Sequence, residues 1–347
     1  MKLSDLIVTV LIIASALIAA PDTFKRPFST NSIWNRQLPV NTAYDDVPGL
    51  EKTLGSINFE NRWTTFVYST DASSRKAKLY IHPYTLHGKR QSKAVTYTNN
   101  PDSIEDALRA ASVPSNSFPA NYYATTMQSP PGKRTFPYAV HDVHSYWRDE
   151  IYVPNDAFSP SPDSDGQLAI WQPDGKVLEV YCAVVCKNGD IIGTMAGFTD
   201  PVSDGSGLEN GRTASLIPNY AGLIREGEVT AGVIDHALSC TFPPNLLTTQ
   251  AVYPAMAFDM NDRYKGPVPM GSLLAIPLSA DLSAMKLSAG GRIIAEAAQR
   301  YGIYVVDRGG AGLTIKADQN ASDALTQETR ADIYKIVREL KLVRGPR

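Results

Sequence analysis

Two ionisable side chains, Asp235 and His236, follow one another in an apolar run near the end of a glycine-rich stretch, residues 205–243. Histidine gains and loses a proton near neutral pH, so His236 could act as a base toward a sugar proton. Neighbours on a strand point to opposite faces, which predicts that the two side chains do not work as a pair. Arg212 would neutralise a substrate carboxylate beside His236. The alternative for His236 is a core histidine bonded to a backbone carbonyl.

His144 and Tyr146 form a second catalytic candidate, because residues two apart on a strand share one face. A tyrosine and a histidine could supply the acid and the base of β-elimination, in which the proton beside a carboxylate is removed. The alternative is a half-exposed strand that points its polar residues to solvent. His144 and His236, together with Asp142 or Glu179, have the chemistry of metal ligands. No short ligand spacing supports such a site, and we predict no metal centre.

Paired carboxylates would indicate glycoside hydrolysis instead of elimination. Glu179 is the most informative acid, since it interrupts an apolar strand, and it is a catalytic candidate although alternation favours an outward position. Asp165 belongs to the loop at residues 163–166 and is a candidate for substrate binding. The same loop could be a calcium site or a simple turn. We expect no cofactor and leave calcium open.

Large aromatic side chains could stack on sugar rings, and Trp171 and Tyr220 are the candidates for substrate binding together with Arg225. Burial in a β core is the alternative for both aromatic residues. The glycine-rich sequence at residues 205–211 lacks a following GK[ST], so nucleotide binding is not expected.

Short apolar runs separated by turns predict a mainly β protein, specifically an antiparallel β-sandwich of the jelly-roll type with a few peripheral helices. The Pro-Asp-Gly-Lys turn at residues 173–176 predicts a hairpin. Residues 21–347 are predicted to form one domain with a C-terminal helix. The segments with the clearest patterns are strands at 167–171, 177–186, 234–238, 270–277 and 303–307, and helices at 288–300 and 321–343.

The first 20 residues contain an uncharged run of 15, too short for the ~20 residues that cross a bilayer as a helix. A signal peptide or an uncleaved signal anchor is therefore predicted, and the protein is expected to be secreted, with membrane contact only through that segment. The net charge of −2 and the lack of a basic stripe argue against nucleic acid as a partner.

Three cysteines do not make a disulfide framework. Cys182 and Cys186 would share a strand face ~13 Å apart, too far to bridge. Either could pair with Cys240 on a neighbouring strand. Buried unpaired thiols are favoured over such a pairing.

Four motifs occur in an order that resembles a group of exported microbial β-sandwich proteins of unestablished activity, some found near carbohydrate-active enzymes. They are Asn-Ser-Ile-Trp-Asn at 31–35, Asp-Gly-Gln-Leu at 165–168, the segment 211–238 ending in Ile-Asp-His-Ala-Leu, and 298–307 ending in Tyr-Val-Val-Asp. The resemblance implies export and a β-sandwich. Members of the group often carry histidine at the position of Gln167.

The residues and the resemblance together lead to one functional expectation. The chain is expected to be a secreted carbohydrate-active enzyme, a lyase or a glycoside hydrolase, that cleaves a polysaccharide. The alternative is a non-catalytic extracellular protein that binds carbohydrate or forms part of a surface.

Overall fold

A computed structural model describes residues 22–58, 64–81, 101–103, 106, 148–157, 165–193, 195–259, 263–321 and 326–345. The predicted export segment, His144 and Tyr146 lie outside these ranges. No helix among the described residues is both long enough and apolar enough to cross a membrane.

The described chain is mainly β with few helices, as predicted. The first ten strands are β1 (Tyr44–Asp45), β2 (Leu54–Asn58), β3 (Phe66–Ser69), β4 (Arg75–Ile81), β5 (Arg148–Val153), β6 (Leu168–Trp171), β7 (Val177–Tyr181), β8 (Val184–Val185), β9 (Ile191–Gly193) and β10 (Met195–Thr199). The others are β11 (Leu238–Phe242), β12 (Leu247–Ala251), β13 (Val268–Met270), β14 (Leu273–Ala275), β15 (Ile303–Arg308), β16 (Gly312–Lys316) and β17 (Lys341–Val343). The α-helices are α1 (Glu228–Ala231), α2 (Ala289–Arg300) and α3 (Gln327–Glu339), with 3₁₀ turns at Leu50–Lys52 and Gly207–Glu209.

The strands form mixed sheets, so the prediction of an antiparallel architecture is only partly right. The largest sheet has the order β1-β17-β14-β15-β11-β16-β2, and two four-stranded sheets have the orders β10-β7-β6-β3 and β5-β4-β9-β8. Parallel pairs occur in all three, at β11–β15, β16–β2, β3–β6 and β4–β9. Parallel neighbours need long connections, and the chain has these between the strands concerned.

Three apolar clusters lie between the sheets and the helices. Helices α2 and α3 pack on one face of the seven-stranded sheet. A second cluster joins the other face of that sheet to β3, β6 and β7, through side chains such as Tyr304 and Trp171. A third cluster lies between the opposite face of β6 and β7 and the sheet that contains β4 and β9. The sheet of β6 and β7 is therefore buried on both faces.

Helix α2 confirms the clearest helical prediction. Ser288 caps it by accepting a hydrogen bond from the backbone N–H of Gly291, 3.1 Å away, and the chain leaves it at Gly302, where φ is +87°. The C-terminal helix, α3, is shorter than predicted. It begins after the cap Thr326 and ends at Glu339, because residues 341–343 form a strand between β1 and β14.

We expect Gly290→Ala to destabilise the protein by about 1–3 kcal/mol, because the new methyl group would overlap Thr329 Oγ1 on α3. Thermal unfolding measures the loss. The double variant Gly290→Ala with Thr329→Ala removes the overlapping atom and should recover most of it; no recovery would show that the helices do not meet at this point.

Two local predictions are wrong. The strand predicted over 177–186 is broken at Cys182, whose φ of +56° is outside the β region. The strand predicted from residue 234 begins at Leu238, so His236 lies in the loop before it.

The three cysteines are buried and none of them is in a disulfide, which agrees with the interpretation that the sequence favoured.

Candidate functional site

Glu179 is fully buried, which contradicts its predicted outward position. Its Oε2 accepts hydrogen bonds from the backbone N–H groups of Arg212 and Asn219, at 2.9 and 2.8 Å, and Thr199 Oγ1 donates to Oε1 at 2.9 Å. Burial raises the pKa of Glu179, and the Asn219 hydrogen bond and the Arg212 charge oppose this effect. The carboxylate thus fixes the loop of residues 211–220 onto strand β7 and does not face a cleft.

A second set of buried polar groups continues from this anchor. Lys316 donates from Nζ to Gln167 Oε1 at 3.1 Å and to the Asn219 carbonyl at 3.3 Å. Gln167 Nε2 in turn donates to the carbonyl of Arg212 at 3.3 Å, and the Arg212 guanidinium donates to the carbonyl of Ala196 at 2.8 Å. Arg212 is therefore part of the interior, and the predicted pairing of its charge with a substrate beside His236 is wrong for this conformation.

The ring of His236 is bonded at both nitrogens. Nδ1 lies 2.8 Å from the carbonyl oxygen of Ala237, and Nε2 lies 3.0 Å from Glu228 Oε1. Both partners are acceptors, so the doubly protonated imidazolium satisfies the arrangement completely. Burial opposes that charge, but the Glu228 carboxylate and the two hydrogen bonds outweigh it and raise the pKa of His236. No ring nitrogen is left to remove a substrate proton, and the predicted role as a base is not supported by this geometry.

We expect the stability that the His236–Glu228 pair provides to depend on pH. A histidine whose pKa is raised by folding makes its full contribution to the free energy of unfolding when the pH is below its unfolded pKa, near 6.5. This contribution is lost as the pH rises through the pKa of the folded state. Glu228→Gln should cost about 1–3 kcal/mol at low pH, because a charged hydrogen bond becomes neutral. Thermal unfolding across the pH range tests this: a difference between the variants that does not shrink at high pH would contradict it.

A small recess lies next to His236. Its lining includes Arg26, Phe28, Trp34, Tyr220, Arg225 and His236. Three of the predicted site residues, His236, Arg225 and Tyr220, thus meet at one place. The rest of the lining comes mainly from the N-terminal segment.

Arg225 is buried behind the N-terminal segment. Its guanidinium lies 4.9 Å from the centre of the Phe24 ring and 5.6 Å from that of Trp171, and its Nη2 donates to the carbonyl of Phe24 at 2.5 Å. Asp318 lies 3.5 Å from Nε and balances the charge. Burial nevertheless lowers the pKa of Arg225, and the Asp318 and Glu228 charges oppose this.

The two predicted stacking residues are core residues. The rings of Trp171 and Tyr220 lie 4.7 Å apart, edge to face, and Trp171 also meets Phe24 at 5.1 Å. Trp171 is 5% exposed and Tyr220 is 0% exposed. The alternative of burial is confirmed for both in this conformation.

A group of carboxylates lies apart from the recess. Its members come from the seven-stranded sheet, from the segment between β12 and β13, and from the segment before β6. Asp307 is near the carboxyl end of β15, just after a register shift that pairs Thr241 with Asp307 and not with the preceding residue. Burial, followed by the charges of Asp259 and Asp165, raises the pKa of Asp307 to about 7, while Lys316 opposes the shift. Asp259 is held by hydrogen bonds from Tyr264 and Arg308.

Asp165 joins this group from the other sheet. It precedes β6, and its carbonyl accepts a hydrogen bond from the backbone N–H of Cys182 at 3.0 Å. The charge of Asp165 acts on the pKa values of Asp307, Lys316 and Tyr181. Burial raises the pKa of Tyr181, and Asp165 adds to the shift. A half-buried acid that is protonated near neutral pH beside a second carboxylate is able to donate a proton.

Of the nine predicted site residues, the structure describes seven, and six of these are connected by the contacts above: His236, Arg212, Glu179, Trp171, Tyr220 and Arg225. Asp165 belongs to the carboxylate group, and its binding role stays a prediction. The possible calcium loop lies partly outside the described residues. Within the described ranges, no three His, Cys, Asp or Glu side chains are arranged to hold a metal ion.

Sequence reasoning missed Asp307, Asp259, Lys316 and Glu228 as functional candidates. Asp307 carried one signal, since it is an acid at the end of a predicted buried strand. Asp259 and Lys316 carried none, because their position depends on which strands become neighbours. Comparisons with protein-family models, with curated proteins and with solved structures found no match for this chain.

Proposed function

We propose that this protein is a secreted carbohydrate-active enzyme that hydrolyses a polysaccharide, with Asp307 as the proton donor and Asp165 as the second carboxylate. The observation that carries the proposal is the pair of acids from two sheets, of which Asp307 has its pKa raised to about 7. Glycoside hydrolysis needs one carboxyl that is protonated at the working pH and one that is ionised.

Asp259 and Lys316 adjust this pair without touching the substrate. The negative charge of Asp259 helps to keep Asp307 protonated, and Tyr264 and Arg308 hold Asp259 in place. Lys316 has the opposite effect, and its own pKa is lowered by burial. The pKa of Asp307 is thus set by neighbours that the fold positions independently.

Hydrolysis is favoured over elimination because of His236. A lyase needs a free base, and both ring nitrogens of His236 already face acceptors. The substrate class and export rest on the resemblance to exported proteins near carbohydrate-active enzymes and on the N-terminal apolar run. The β-sandwich is likewise proposed, supported by the apolar cluster that joins the faces of two sheets; jelly-roll connectivity is not, because of the parallel pairs.

A non-catalytic protein that binds polysaccharide is the second candidate. It is favoured by the burial and internal bonding of Glu179 and Arg212, which leaves these two catalytic candidates no direct contact with a substrate.

The test is a screen of neutral and acidic polysaccharides with two readouts. New reducing ends without the ultraviolet absorbance of an unsaturated sugar support hydrolysis, and their loss in Asp307→Asn assigns the site. That absorbance would indicate a lyase and overturn the assignment to Asp307. Binding without cleavage across the screen would support the second candidate.

A further inference from the structure

The N-terminal segment at residues 22–28 occupies a slot that is built for a ligand. Residues 23 and 24 make no backbone–backbone hydrogen bond to the rest of the described chain. Trp171 Nε1 donates to Thr23 Oγ1 at 3.3 Å, and Arg225 Nη2 donates to the Phe24 carbonyl. The first backbone hydrogen bond to another part of the described chain is at Phe28, whose N–H donates to the carbonyl of Pro201.

The slot has a cationic wall and an aromatic wall. The Phe24 ring contacts both, at 4.9 Å from the guanidinium of Arg225 and 5.1 Å from the indole of Trp171, and these two lie 5.6 Å from each other. Arg225 is only 6% exposed, and its Nη1 has no hydrogen-bond partner among the described residues. A buried donor without a partner indicates that the present occupant does not satisfy the site.

We propose that this slot is a subsite for an acidic sugar of the polysaccharide, and that Phe24 closes it until the ligand displaces the segment. The Phe24 carbonyl lies where one carboxylate oxygen of a uronate would bind Arg225, and the second oxygen would accept from Nη1. Such a two-point contact suits a guanidinium, and it is stronger than the single neutral carbonyl that it replaces. The sugar ring would take the place of the Phe24 ring beside Trp171.

The inference takes its ligand class from the proposed action on polysaccharide, so binding is measured in the Asp307→Asn background, in which cleavage does not interfere. The probes are polygalacturonate and alginate as polyuronates, with an uncharged galactan as the comparison, and calorimetry gives the affinity. Phe24→Ala should bind at least one of the two polyuronates about tenfold more tightly than the background, because the ring that occupies the place of the sugar is gone. Thr23→Ala, which removes only the hydrogen bond from Trp171, should give a smaller gain.

Two controls define the result. Lys25→Ala changes an exposed neighbour in the same segment and should leave the affinity unchanged, and Arg225→Lys combined with Phe24→Ala should lose about tenfold or more. Unchanged affinity for both polyuronates in folded Phe24→Ala and Thr23→Ala would overturn the subsite, as would an equal gain for the galactan. If the wild type cleaves a polysaccharide but the variants show no such gain, the subsite is overturned and the proposed enzyme is not. If the variants bind a polyuronate more tightly but no cleavage is found, the proposed enzyme is overturned and the subsite is not.

Discussion

Glu179→Ala is expected to abolish folding or to lower the free energy of unfolding by about 3–6 kcal/mol, the largest loss that we predict for stability. The change removes the acceptor of two backbone N–H groups, at Arg212 and Asn219, and of the Thr199 hydroxyl. Each buried donor left without a partner costs about 1–3 kcal/mol. Native domains are stable by only about 5–15 kcal/mol, so the sum is a large share of the total.

Glu179→Gln separates the hydrogen bonds from the charge. Its amide oxygen can still accept from both backbone N–H groups, so we expect a loss of roughly 1–2 kcal/mol and a folded protein. Glu226→Ala changes an exposed acid that follows the anchored loop and should alter stability by less than about 0.5 kcal/mol. Circular dichroism and denaturant unfolding measure all three variants. An alanine variant as stable as the glutamine variant would show that Glu179 does not anchor the loop.

Asp307→Asn should lower polysaccharide cleavage by about 10²–10⁴-fold, the usual contribution of a positioned proton donor. Activity of the wild type should fall as pH rises above about 7, because the donor form of Asp307 is lost there. Asp156→Asn, an exposed acid, is the matched control and should keep full activity. Initial rates across the pH range provide the test, and an unchanged rate in Asp307→Asn would remove Asp307 from the mechanism.

The same variant should be more stable than the wild type at high pH. Folding raises the pKa of Asp307. Its contribution to the free energy of unfolding is therefore complete when the pH is below the pKa of the unfolded chain, near 3.9, and is lost as the pH rises toward about 7. Asparagine does not ionise and avoids this loss. Melting temperatures should therefore diverge from about pH 5 to about pH 8, by an amount equivalent to roughly 2 kcal/mol. Equal melting temperatures across this range would contradict the raised pKa.

The parts of the fold that sequence could predict are those that local patterns determine. Helix α2 has its cap, its apolar face and its terminal glycine within fifteen residues, and the hairpin after Trp171 has its own turn sequence. The strand that carries Glu179 could not be read in this way. Alternation assigns an outer face only when one face of a sheet meets solvent, and the sheet of β6 and β7 has an apolar cluster on each side.

The candidate site depends on contacts between distant segments, which explains why the sequence indicated some members and not others. His236 and Arg225 were found by residue type, but their partners Glu228 and Phe24 could not be assigned until the loop and the N-terminal segment were placed. Asp307 and Asp165 are far apart in sequence, and the charge of Asp165 acts on Asp307 because β6 and β15 belong to sheets that one apolar cluster joins.

The most direct test of the proposed mechanism is the pKa of Asp307 itself, measured by carbon NMR of protein labelled at aspartate carboxyl groups. Asp307→Asn assigns the signal by its disappearance. We predict a pKa of about 7, and a lower one in Asp165→Asn because a neighbouring negative charge is removed. A pKa near 4 that does not respond to Asp165→Asn would contradict the assignment of Asp307 as the proton donor.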